Sequence, residues 1–188
     1  MQSFPRYQEE SKLIQHTPSS SGAISWIVVH THPQKERFAV ENLSRQQFVG
    51  YCPMLLKRIR HARRSELVLR PMFPAHVFAG IHAGDQRWRP ILSTLGVRAI
   101  MRSGELLSFL PAGFVEVLRA CEVDGKVVAP GQLGDSEQPG IEPGADYSTL
   151  ITTMVEMSEG DRVLALIALL RPGADASGVR AVLARQGK

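Results

Sequence analysis

One twelve-residue stretch constrains the fold of this chain more than any other: Arg70-Pro71-Met72-Phe73-Pro74-Ala75-His76-Val77-Phe78-Ala79-Gly80-Ile81. Two prolines brace an aromatic, and the residues after them alternate. His76, Phe78 and Gly80 fall on one side and Val77, Ala79 and Ile81 on the other, which is the period of a strand. Just upstream runs a basic stretch, Lys57-Arg58-Ile59-Arg60-His61-Ala62-Arg63-Arg64. One strand face can feed a core, leaving Phe73 and Phe78 to sit at a rim and dock a partner. A cationic loop beside an aromatic rim suggests a module that holds nucleic acid with one surface and protein with another.

The flanking sequence supplies the rest of such a module. Ser25 to His30 reads as a strand, being β-branched and aromatic. Thr31 and Pro33 open a helix from about Gln34 to Phe48, with Ala39, Val40 and Leu43 on one stripe and Gly50 as its stop. Leu56 to Leu69 reads as an extended hairpin with a basic tip. Gln86 to Leu92 gives a short helix, Arg98 to Met101 a strand, Ser103-Gly104 a hairpin turn, and Ala112 to Val123 a second helix opened by Pro111. The order implies an α+β sandwich, an antiparallel sheet with helices packed on it.

Charge is distributed unevenly. The net charge of +4 hides a segment from Cys121 to Asp161 with nine acids and one base, leaving the remainder at +12. A basic body beside an acidic connector points to a polyanion-binding surface, although a solvated linker is the plainer explanation of the acids. Seven Pro and Gly residues from Pro130 to Gly144 mark that connector. The expected divisions are a flexible tail over 1–24, a main domain over 25–124, a linker over 125–147 and a small apolar region over 148–188. That last region is ambiguous. Thr149 to Val155 favours a strand, Ser158 to Asp161 can turn, and Arg162 to Leu170 is rich in helix formers.

Several function classes find no support. There is no phosphate-binding glycine loop and no nucleophile–base spacing, so an enzyme is not expected. His30 and His32 share a strand face, but no further ligand completes a metal site, and no cofactor is expected. Cys52 and Cys121 are expected to be free thiols in a reducing compartment. The tail lacks an apolar targeting run, and Val163 to Leu170 is far too short to span a bilayer, so the expectation is a soluble, cytoplasmic protein without a membrane partner.

Five pieces in order carry a resemblance. They are Trp26-Ile27-Val28-Val29-His30-Thr31-His32-Pro33; Ala39-Val40-Glu41-Asn42-Leu43 with Gln46 and Gln47; Pro53 with the basic loop; Pro71 to Phe78; and Ser93-Thr94-Leu95-Gly96-Val97. Over about Ser25 to Gly125 the chain resembles the NusG/RfaH family of transcription elongation and antitermination factors, as a specialised paralogue. Order and spacing carry this, rather than any one motif. The resemblance implies the NusG N-terminal (NGN) α/β sandwich and binding to core RNA polymerase at the clamp helices of its largest subunits. On matching positions that pocket would hold Phe73, His76 and Phe78, with His30 on the neighbouring strand. Histidine stands at 76 where tyrosine is common, and at 30 where an aromatic often sits. The resemblance further implies contact with non-template DNA. Lys57, Arg58, Arg60, Arg63 and Arg64 would meet phosphates. Arg87 and Arg89 flank Trp88, which can stack on a base or pack on the sheet. Such a protein would modulate pausing and termination. The alternatives are the general NusG elongation factor, or a nucleic-acid-binding regulator that acts without polymerase.

Glu142-Pro143-Gly144, Met154 to Ser158 and Asp161 to Leu170 resemble pieces of the family's C-terminal KOW domain, which in the family meets a ribosomal protein or a termination factor. Ala145-Asp146-Tyr147-Ser148 leaves no room for one of its strands. The region is therefore expected as a degenerate KOW-like piece: a β-hairpin or partial barrel, or the helical hairpin that covers the polymerase site in RfaH-like members.

Overall fold

The computed structural model describes residues 24–61, 64–82, 87–128 and 147–179, apart from the side chains of 60, 61, 64 and 65. Four strands form the central sheet: β1 (Ile24–Thr31), β2 (Val49–Tyr51), β5 (His76–His82) and β6 (Val97–Ile100), in the order β2-β5-β1-β6. All its pairings are antiparallel. β1 lies against β5 with Val28 opposite Phe78 and His30 opposite His76. Gly80 sits opposite both Trp26 and Val49, where a Cβ would lie 2.6 Å from Ile24 Cγ2. A side chain there would collide with the neighbouring strand, which accounts for glycine inside a strand.

Alternation sends the two sheet faces into two cores. Ile27, Val29, Val77, Ala79 and Ile81 pack with Ala39 and Leu43 of helix α1 (Glu36–Arg45). Trp26, Val28, Tyr51 and Phe78 pack with Phe114, Val115 and Leu118 of helix α2 (Phe114–Ala120). α2 is pinned by polar contacts as well. Trp26 Nε1 donates to Glu116 Oε1 at 2.9 Å, Tyr51 Oη donates to Glu122 Oε1 at 2.9 Å, and the Arg119 guanidinium lies over both rings, 5.1 and 4.9 Å from their centroids. α2 ends at Ala120, three residues before the helix read from sequence, because the chain then pairs β9 (Glu122–Val123) with β10 (Lys126–Val127). The Gln86–Leu92 helix is a 3-10 turn at Arg89–Ser93.

The basic stretch forms a two-stranded ribbon, β3 (Met54–His61) with β4 (Arg64–Pro71), standing apart from the central sheet. Strands β7 (Arg102–Ser103) and β8 (Leu106–Leu107) make the expected small hairpin.

At the C-terminal end the segment Thr149–Val155 is helical rather than extended. Helix α3 (Tyr147–Glu156) buries Tyr147, Leu150, Ile151 and Met154, a spacing that makes one helical stripe. Its β-branched threonines turn their hydroxyls back on the helix, Thr152 to Ser148 O and Thr153 to Thr149 O, each at 2.9 Å. Ser158 caps helix α4 (Glu159–Leu169) by accepting from Asp161 N at 3.2 Å. Of the two forms open in the sequence, the helical hairpin is the one adopted. It packs on the sheet face that α2 also covers, in one apolar cluster with Phe73 and Phe78.

Candidate functional site

The loop between β4 and β5 has almost every backbone group tied down. Met72 N donates to Pro53 O at 2.8 Å, and His76 N donates to Phe73 O at 3.0 Å. Ala75 takes a left-handed φ of 59°, a conformation that costs a non-glycine residue roughly 1 kcal/mol or more. Two contacts hold it there: Ala75 N donates to Glu36 Oε1 at 2.7 Å, and Thr31 N donates to Ala75 O at 2.8 Å. Glu36 is correspondingly buried at the start of α1. Sequence reasoning missed it, since an acid in a first helical turn ordinarily has only the helix dipole to explain it.

This rigid loop sets out the aromatic group. The Phe73 and Phe78 ring centroids are 5.6 Å apart. His30 and His76 stack at 4.9 Å with 21° between planes. His76 Nδ1 donates to Pro74 O at 2.8 Å, which fixes its tautomer. Burial pushes the His76 pKa down. It does the same to His30, helped there by the positive charge of Arg98 and by His32. The four residues named from sequence thus lie together on one end of one sheet face.

Their exposure corrects the sequence reading. Phe73 and Phe78 are both 0% exposed, not rim residues, and His76 is buried; only His30 is half-buried. Phe78 meets Phe114 of α2, and Phe114 meets Tyr147 of α3 at 5.7 Å. The cover comes from residues far along the chain, so a local pattern could not show it.

α4 closes over the Phe73 loop through Arg162. This guanidinium, 6% exposed, donates from Nε to Met72 O at 2.8 Å and from Nη1 to Met157 O. Next to it, Lys57 Nζ of β3 lies 2.7 Å from Glu159 Oε1 of α4. No sequence signal marked Arg162 or Glu159, because each looks like an ordinary polar residue at the start of an apolar helix.

The ribbon carries the basic residues on two different faces. Met54, Leu56 and Arg58 share a face with Leu67, Leu69 and Pro71; Leu56, Leu67 and Leu69 are all exposed. Leu55, Lys57 and Ile59 share the other with Val68 and Arg70. Lys57 and Arg58 therefore point oppositely, and Lys57 is engaged with Glu159. The side chains of Arg60, Arg63 and Arg64 lie outside the described residues, as do most of the tail over 1–24 and most of the linker over 125–147. Trp88 packs against the core beneath α1, on the opposite sheet face from the aromatic group, with Arg89 5.9 Å from its ring. Arg87 and Arg89 are exposed.

Both cysteines are free, and burial pushes Cys121 up to about 11 and Cys52 up to about 12, which leaves them protonated and unreactive near neutral pH. Among the described residues no three His, Cys, Asp or Glu side chains converge as a metal site, and no helix is long and apolar enough to cross a membrane.

Comparison with known proteins agrees with this geometry. No curated protein matches the chain. The family model described as "NusG: Transcription termination factor nusG" matches residues 24–118, just over half of the chain, from the first residue of β1 to within α2. The matched span contains the sheet, α1, the basic ribbon and the Phe73 loop, and stops before the helical hairpin. The chain belongs to the NusG family of transcription elongation and termination factors.

Proposed function

We propose that this protein is a specialised, self-covered NusG-family factor. Its sheet face with His30, Phe73, His76 and Phe78 docks on the clamp helices of RNA polymerase. Its β3–β4 ribbon follows non-template DNA through Lys57, Arg58 and the bases at the tip. It modulates pausing and termination by binding one polymerase state better than another, without turnover. The association with polymerase is general to the family; the clamp and the DNA strand follow from the resemblance of the matched residues. The α3–α4 hairpin covers the docking face, so polymerase and hairpin exclude one another and the apparent affinity is reduced by the open fraction.

The complete burial of Phe73 and Phe78 in a cluster that includes Leu150, Ile151, Met154 and Leu166 of the hairpin carries this reading. A housekeeping factor would keep that face open and its C-terminal region free for a ribosomal protein or termination factor. His30 offers a probe, being half-buried and stacked on His76. A photo-crosslinking residue at position 30, mixed with core polymerase, is expected to mark the largest subunits. Crosslinks to other subunits alone would refute the clamp assignment. Binding of nucleic acid with no polymerase retained by the open chain would favour the polymerase-independent regulator.

A further inference from the structure

A cleft of about 190 Å³ lies at the seam between the ribbon and the turn joining α3 to α4. Lys57 and Arg70 line it from the ribbon, and Ser158, Glu159 and Arg162 line it from the helices. Lys57 pairs with Val68 in the ladder, which puts Arg70 diagonally beside it on the same face. Three cations thus surround one carboxylate. Hydrogen bonding to Lys57, together with the charges of Lys57, Arg162 and Arg70, holds the Glu159 carboxyl below its usual range against the opposing effect of burial. Arg162 is committed to two carbonyls, whereas Arg70 forms no ion pair among the described residues. The cleft therefore keeps a positive surplus after Glu159 is counted.

We propose that this cleft is a phosphate subsite whose place is taken, in the closed chain, by the Glu159 carboxylate. An oxyanion that binds Lys57 and Arg70 displaces Glu159 and frees the first turn of α4 from the ribbon. Free phosphate or pyrophosphate carries more charge and more acceptor oxygens than a carboxylate, and arginine matches it with a planar fork; a backbone phosphodiester carries one charge, like the carboxylate, and competes through the many phosphates of its polymer. Because the two occupants exclude each other, the coupling is reciprocal: closing the hairpin weakens phosphate binding as much as phosphate loosens the hairpin. The inference rests on the proposed DNA contact only for the polymer that brings the phosphate. A free phosphorylated ligand would satisfy the same chemistry.

The test uses the full chain, a labelled single-stranded oligothymidylate and inorganic pyrophosphate. Fluorescence anisotropy reads oligonucleotide binding, and hydrogen exchange reads the amides of 159–169. Glu159→Gln is expected to bind the oligonucleotide about three- to fivefold tighter, the scale of a part-exposed ion pair, and Arg70→Met to bind it more weakly. In the wild-type chain, which needs no variant to fold, the ligand is expected to speed exchange in α4 and leave β1 unchanged. Oligonucleotide binding that ignores both substitutions, with α4 exchange unmoved by either probe, would overturn the subsite and leave the DNA reading standing. Acceleration by pyrophosphate with no oligonucleotide bound would keep the subsite, assign it to a free phosphate and overturn the DNA contact at Lys57.

Discussion

Replacing Arg162 by methionine isolates the contact that ties the C-terminal hairpin to the Phe73 loop. Methionine retains an apolar stem to fill the space, so the change removes donors more than volume. The lost inter-element bond is Nε to Met72 O, 2.8 Å in length, and the arginine making it is 6% exposed. The second bond, to Met157 O, lies within the hairpin's own turn and leaves docking unaffected. A hydrogen bond from a charged donor contributes about 1.5–3 kcal/mol. Relief from burying a guanidinium offsets part of that, which puts the net near the lower end. A change of about 1.4 kcal/mol is tenfold in an equilibrium constant. Amide exchange should therefore speed by about tenfold across 147–169 in Arg162→Met, while β1 and β5 stay protected. Unchanged exchange in α3 and α4 would refute the argument that this bond holds the hairpin down. Equal acceleration in β1 and β5 would show that sheet and hairpin open as one unit.

Phe78→Ala should destabilise the whole domain by about 3–5 kcal/mol in denaturant melts, since the ring is fully buried against Tyr51, Phe73 and Phe114; a loss below about 1 kcal/mol would contradict the packing. Gly80→Ala should lower stability by about 1–3 kcal/mol, because its Cβ would meet Ile24 and Val49; an unchanged melting temperature would show that the strands give way freely. Acidification should also destabilise the fold. His30 and His76 titrate below their ordinary 6.5 in the folded chain. From that value down to their folded values the unfolded chain binds more protons, so stability falls with pH. Arg98 and His32 beside His30 add to the loss, and Glu36 near His76 works against it. His76→Gln melts should show a shallower fall over the same window, and an identical slope would remove His76 as the cause.

The sequence revealed most of the sheet because its signals are local. Alternation at His76 to Ile81 and β-branching at Ile27 to Val29 mark strands whatever packs on them, and the basic ribbon follows from its flanking extended arms. Thr149 to Val155 misled for the opposite reason. Its β-branched residues favour extension only weakly, and burial of Tyr147, Leu150, Ile151 and Met154 on one stripe outweighs that preference. The candidate site was legible in its members and illegible in its state. His30, Phe73, His76 and Phe78 do meet on one face, but Phe73 and Phe78 are buried in a cluster that draws on α2 and on helices some seventy residues downstream. Arg162 and Met72 O are ninety positions apart, a separation that no window of sequence spans.

Core RNA polymerase binding by the chain before and after it is cut between β10 and α3 tests the central claim most directly. A protease site placed within residues 129–146 leaves every residue of both parts present, and cutting removes only the tether that keeps the hairpin at high effective concentration. Polymerase affinity is expected to rise at least about tenfold after cutting at dilute protein, with the sheet's circular dichroism unchanged and free α3–α4 peptide restoring the weaker binding. Equal affinity before and after, with the hairpin shown to have left, would contradict the account.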